Sequence, residues 1–138
     1  MIALDTNVLV RYIVQDDLVQ AAHATGLIEA RCTTEEPGLV ATIVVGELAW
    51  VLGRGYGYSR AQVADVVRAI LSADELEVEA PEMAWRSLRM FEAGKADLAD
   101  YLIGNGNRER GAEATFTFDH AAAESDLFSL LATEESTG

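Results

Sequence analysis

Five short apolar runs alternate with stretches of helical spacing along the chain, and this alternation most limits the folds open to it. Residues 2–4, 39–41, 76–80, 114–118 and 128–131 read as strands. Apolar positions at Val8, Leu9, Tyr12 and Ile13 give 6–14 a helical period, and similar spacing returns after each later break. Strands that alternate with helices predict a parallel sheet covered on both faces, an α/β fold. Residues 1–132 are expected to form a single domain, with no internal repeat or linker, and 133–138 a disordered tail.

Local signals fix where helices start and stop. Asp16 or Asp17 can cap a helix running to about Ala30, Thr42 one carrying Glu47, and Ser59 one ending near Ser72. Pro81 suits the first turn of a helix to about Glu92. The glycines of 53–58 predict a flexible loop. A last helix is expected to start near Asp97 and to fade between Gly104 and Gly111.

Into this pattern four acids intrude, each against apolar neighbours. They are Asp5 after Leu4, Glu47 between Gly46 and Leu48, Asp100 before Tyr101-Leu102-Ile103, and Asp119 after Phe118. A carboxylate among buried side chains is costly unless it is paired, hydrogen-bonded or bound to a cation. Asp5 and Asp119 both come directly after predicted strands, and ligands of open parallel sheets bind beyond the carboxyl ends of strands. If the fold gathers the four, a hard divalent metal is the simplest common partner.

Each acid also has a plainer role. Asp5 and Asp119 can each cap the next turn or helix of the chain, and Asp97 can cap a helix that has Asp100 in its first turn. Glu47 shares a stripe with Ile43 and Trp50; it either marks the wet face of an apolar helix or points inward at a cation. Capping explains Asp100 less well, because three apolar residues come after it without a break. His23 and His120 read as ordinary histidines.

Composition narrows the partners. The net charge of −13 argues against broad electrostatic binding to nucleic acid, and favours a basic protein partner or metals that locally reverse the field. Cys32 is the only cysteine, so no internal disulfide or thiolate cluster can form, which fits a reducing cytosol. No apolar run approaches the ~20 residues of a membrane span, and the N-terminus carries no signal-like pattern. A cytoplasmic location without membrane association is expected.

The segments Leu4-Asp5-Thr6-Asn7, Val45-Gly46-Glu47-Leu48, Asp97 to Ile103 and Thr117-Phe118-Asp119 resemble, in order, the motifs of PIN-domain proteins, and most resemble VapC-type toxins of bacterial toxin–antitoxin pairs. The resemblance covers essentially the whole chain. It implies a three-layer α/β/α sandwich with a central parallel sheet and a Mg²⁺- or Mn²⁺-dependent endoribonuclease. Asp5, Glu47, Asp100 and Asp119 carry over as catalytic and metal-binding acids, with Asp97 as an auxiliary ligand. Asn7 and Thr117 resemble the polar residues that orient them. A homodimer is implied, as is a cognate antitoxin whose basic segment enters the acidic site.

RNA contacts must come from few cations. Arg11, Arg54, Lys95 and Arg108 are candidates, with Tyr56 and Tyr58 available for stacking. Two other readings compete. A phosphatase with Asp5 as nucleophile would resemble the haloacid dehalogenases, but Asn7 stands where they carry a second Asp, and Lys95 is the only lysine. A non-catalytic PIN-like module that binds RNA or protein is the other.

Overall fold

The computed structural model describes residues 1–131, and its elements keep the predicted order. They are α1 (Thr6–Val14), α2 (Leu18–Arg31), β1 (Gly38–Val40), α3 (Thr42–Trp50), α4 (Arg60–Ser72), β2 (Leu76–Val78), α5 (Pro81–Ala93), α6 (Leu98–Glu109), β3 (Thr115–Thr117) and β4 (Phe128–Leu130). The tail expected over 133–138 lies outside the described residues.

Every strand pairing is parallel, and the chain is the α/β protein its alternation predicts. β1 pairs with β2 through Leu39 and Glu77, and β3 with β4 through Phe116 and Ser129. The first apolar run joins β1 only through a bridge from Ala3 to Leu39, with Leu4 N–H donating to Leu39 O at 2.9 Å. It is short because the chain turns into α1 at Asp5. The described strands thus form two separate pairs, with β2, β3 and β4 shorter than the apolar runs suggested. One hydrophobic cluster runs from Leu4 to Phe128, with Leu48, Leu52 and Leu88 fully enclosed. The two buried polar side chains among the described residues satisfy each other: Asn105 Nδ2 donates to Ser87 Oγ at 2.9 Å.

The caps largely match the sequence. Asp17 accepts from Gln20 N–H at the start of α2, and Ser59 with Gln62 forms a capping box on α4. Two expectations fail. Thr42 does not cap α3; it lies inside the helix, and Glu79, just beyond β2, accepts from Thr42 N–H at 3.0 Å. The helix of Glu47 does not end in a loop at Gly53. It widens into a π turn over Val51–Gly55, held inside by Leu52. α6 ends at Glu109, inside the 104–111 stretch where it was expected to fade, and Gly104 lets the helix lie against Leu127 and Phe128, where an added Cβ would come within 2.9 Å. No helix among the described residues is long and apolar enough to cross a membrane.

Candidate functional site

The five candidate acids come from two helix beginnings, one helix middle and one turn, and fall into two sets. The first set is Asp5 and Glu47. Asp5 is the N-cap of α1, its backbone extended, and its Oδ1 accepts from Thr6 N–H at 2.7 Å. One residue on, Thr6 Oγ1 donates to Glu47 Oε1 at 3.1 Å. Thr6 therefore ties the start of α1 to the middle of α3. A cavity of about 360 Å³ lies over this pair, bordered by Asp5, Asn7, Arg11, Glu47 and Tyr56.

The cation of that cavity is already engaged. Arg11 donates to Asp16 at 3.0 Å, to the Tyr56 hydroxyl at 3.0 Å and to Gln20 at 2.6 Å, and Tyr56 in turn donates to Asp16. The Tyr56 hydrogen bond, then Arg11, hold the Asp16 carboxyl below the usual range.

The second set is Asp97, Asp100 and Asp119. Asp97 is the N-cap of α6, and its N–H donates to Asp100 Oδ2 at 3.2 Å. Asp119 sits in a tight turn beyond β3: its N–H donates to Thr117 Oγ1 at 3.0 Å, and its Oδ1 accepts from Ala121 and Ala122 N–H at 2.8 and 3.2 Å. Thr117 thus fixes the turn that aims Asp119. Burial, then the nearby charge of Asp119, and also that of Asp97, push the Asp100 carboxyl above its ordinary value, although the Asp97 N–H opposes this. The ends of α6 and β3 therefore bring like charges together.

The two sets meet through a helix crossing. Gly46 of α3 faces Ala99 of α6 so closely that an added Cβ would lie 3.4 Å from the Ala99 Cβ. Glu47 and Asp100 are the next residue along each helix.

Two sequence expectations change here. Asp5, Glu47 and Asp119 are exposed and Asp100 is half-buried, so the four are not a core anomaly. Glu47 lies on the wet side of α3, because its stripe-mates Ile43 and Trp50 are 72% and 54% exposed. That apolar stripe continues onto Ile103 of α6 and lines a groove of about 680 Å³. Glu79, inside the run 76–80 that reads as a strand, did not stand out in the sequence as a candidate acid. Its position just past β2, like Asp119 past β3, was the available signal. The bond from Thr42 N–H lowers its pKa.

Every candidate donor is a carboxylate, a set that suits a hard divalent cation. Among the described residues, as their side chains stand, no three acid, His or Cys groups converge tightly enough to hold one ion. The acids fit a metal in kind, and stand as two flanking sets rather than a closed cage.

The sequence model of the PIN domain family matches residues 2–126. No curated protein matches the chain. The match spans most of the sequence, and the chain belongs to the PIN domain family, a superfamily of nucleases whose members typically use divalent metals.

Proposed function

We propose that this PIN-domain protein is a Mg²⁺- or Mn²⁺-dependent endoribonuclease, and that Asp5, Glu47, Asp100 and Asp119 form its catalytic site, with Asp97 auxiliary. The observation that carries this reading is the crowding at Asp100. A fold that holds one carboxyl half-buried beside two others accepts a repulsion that a cation would relieve.

When bound, a divalent metal supplies an activated water and neutralises the phosphodiester oxygens. The protein's part is orientation. Thr6 holds Glu47 by one carboxylate oxygen and leaves the other free. The turn amides of Ala121 and Ala122 fix Asp119 in the same way through Oδ1. Asp97 N–H holds Asp100 through Oδ2. In each case one oxygen is anchored by the chain and its twin is available to a ligand.

The further reading is that of a VapC-type toxin acting in the cytoplasm. A cognate antitoxin would place a basic segment against the acidic site, a pairing that the −13 net charge favours. A second copy would cover the apolar stripe of Ile43, Trp50 and Ile103, giving a homodimer.

One assay tests the reaction. Purified protein, free of any partner, is incubated with total RNA and Mn²⁺ or Mg²⁺, beside Asp5→Asn and a chelator control. Cleavage only by the native chain with metal is expected. Equal cleavage by Asp5→Asn defeats the mechanism, and RNA retention without cleavage favours a binding module.

A further inference from the structure

We propose that the pocket beside Asp97, between the π turn, α4 and the α5–α6 connection, seats the nucleotide next to the scissile phosphate in single-stranded RNA. The proposal rests on the ribonuclease reading and adds a substrate-binding subsite to it.

The pocket holds about 280 Å³, below the ~300–1,000 Å³ of sites for larger ligands, so it suits one base rather than a long segment. Three of the chain's ten Lys and Arg residues line it: Arg54, Arg60 and Lys95. Asp97 is its one acid, so the lining carries three positive charges against one negative, a local net of +2 in a chain of −13. A concentrated basic pocket at the edge of an acidic site is where an acidic protein can hold a phosphate.

The three cations differ in freedom. Arg60 is structural: its guanidinium lies 3.9 Å over the Phe91 ring and donates to the carbonyls of Phe91, Lys95 and Ala96. It thereby fixes the backbone that carries Lys95. Lys95 is exposed and makes no ion pair among the described residues. Arg54 is largely exposed, and its one ion pair among the described residues is a loose contact with Asp97 at 3.7 Å. Two cations are therefore free to bind phosphate, on a base that a third holds rigid. Arg11, the cation of the Asp5–Glu47 cavity, differs in being bonded three ways.

Tyr58 supplies the stacking surface. It is half-buried, its backbone fixed by a bond from its N–H to Leu52 O at 3.0 Å, and it faces the same pocket as Arg54 and Lys95. A base on an aromatic ring with phosphates on flanking cations is the general mode of single-strand binding. The Arg54–Asp97 contact, and the bond from Asp97 N–H to Asp100, put this pocket beside the second acid set, so a strand seated in it can continue towards Asp100.

The test uses the full chain carrying Asp5→Asn, so that labelled single-stranded oligoribonucleotide is bound but not cut. Binding is measured by fluorescence anisotropy over a range of salt. Arg54→Gln with Lys95→Gln is expected to weaken binding about tenfold or more and to make the salt slope shallower by about 1.4, from two lost phosphate contacts on a single strand. Arg54→Lys with Lys95→Arg should keep the slope. Tyr58→Leu should weaken binding by roughly tenfold with the slope unchanged, and Tyr58→Phe should leave it intact. An unchanged slope in the double Gln variant, while the native chain cleaves RNA, overturns the pocket and leaves the nuclease reading standing. No RNA binding or cleavage by the native chain overturns both.

Discussion

The two acid sets are built on opposite principles. Asp5 and Glu47 sit apart on exposed surface, each with a hydrogen-bond donor on one oxygen and Thr6 between them. Asp97, Asp100 and Asp119 are crowded, and Asp100 is half-buried with two like charges near it. The first set is satisfied by the chain itself, while the second carries a conflict that the chain does not resolve. A side chain kept in an unfavourable place is a better pointer to function than one with ordinary partners, because stability alone would remove it.

The largest effects should be shared in activity and separate the sets in stability. Asp5→Asn and Asp100→Asn are both expected to lower RNA cleavage on the order of 100-fold or more, as each removes a charge from the site. Their stabilities should diverge. Asp100→Asn keeps an oxygen for the Asp97 N–H and removes the repulsion, so its melting temperature without metal should rise above native. Asp5→Asn keeps the cap oxygen and relieves little, so its melting temperature should stay near native. A melting temperature for Asp100→Asn below native would erase the contrast between the sets.

Next comes the joint. Gly46→Ala should be tolerated, since its Cβ would make only close van der Waals contact with Ala99 at 3.4 Å, and helix propensity favours it by about 1 kcal/mol. Gly46→Leu has no such room and should cost about 1–3 kcal/mol by overpacking. It should also lower activity by parting Glu47 from Asp100. Thermal denaturation and cleavage assays read both; a Leu variant as stable and active as native would mean that the crossing does not join the sets.

Smaller still is the loss at Thr6. Thr6→Val removes the donor to Glu47 Oε1 while conserving shape, and about a tenfold drop in activity or metal affinity is expected, as for other residues that orient ligands. The helix should be unharmed, because it is the backbone N–H of residue 6 that meets the Asp5 cap. Circular dichroism beside titration of metal affinity checks the two halves.

How far these features could be read from the sequence depends on the range of the forces involved. Helix starts at Asp17, Ser59 and Pro81 were legible because a cap acts within a few residues. The reason for Gly104 within α6 was not: it is the distant pair Leu127 and Phe128, which need a bare Cα beside them. The cap on α3 was missed for the same reason, since Glu79 arrives from another element. For Glu47 the apolar pattern misled, because Ile43 and Trp50 look like core in a sequence whether a neighbouring element covers them or not. The second acid set was half legible. Asp97 and Asp100 share one turn, whereas the approach of Asp119 depends on how β3 lies beside α6.

The most delicate test of the contrast is the pH dependence of stability without metal. Asp100 has a raised carboxyl pKa in the fold, so the folded state holds its proton more tightly than the unfolded chain, whose aspartates titrate near about 3.9. Its stabilising share is whole below that pH and is lost as pH rises through the folded pKa, after which the loss is constant. Asparagine does not titrate. The excess melting temperature of Asp100→Asn over native should therefore be smallest in acid, grow as pH rises from about 4, and then level. Asp16 and Glu79 have lowered pKa values and act in the opposite direction, with their stabilisation lost as pH falls, but both are present in the two proteins and cancel in the difference. Adding Mg²⁺ should shrink the excess at neutral pH, because the native chain gains a partner for the charge that the variant lacks. An excess that is flat with pH, or indifferent to Mg²⁺, would place the conflict somewhere other than the second acid set.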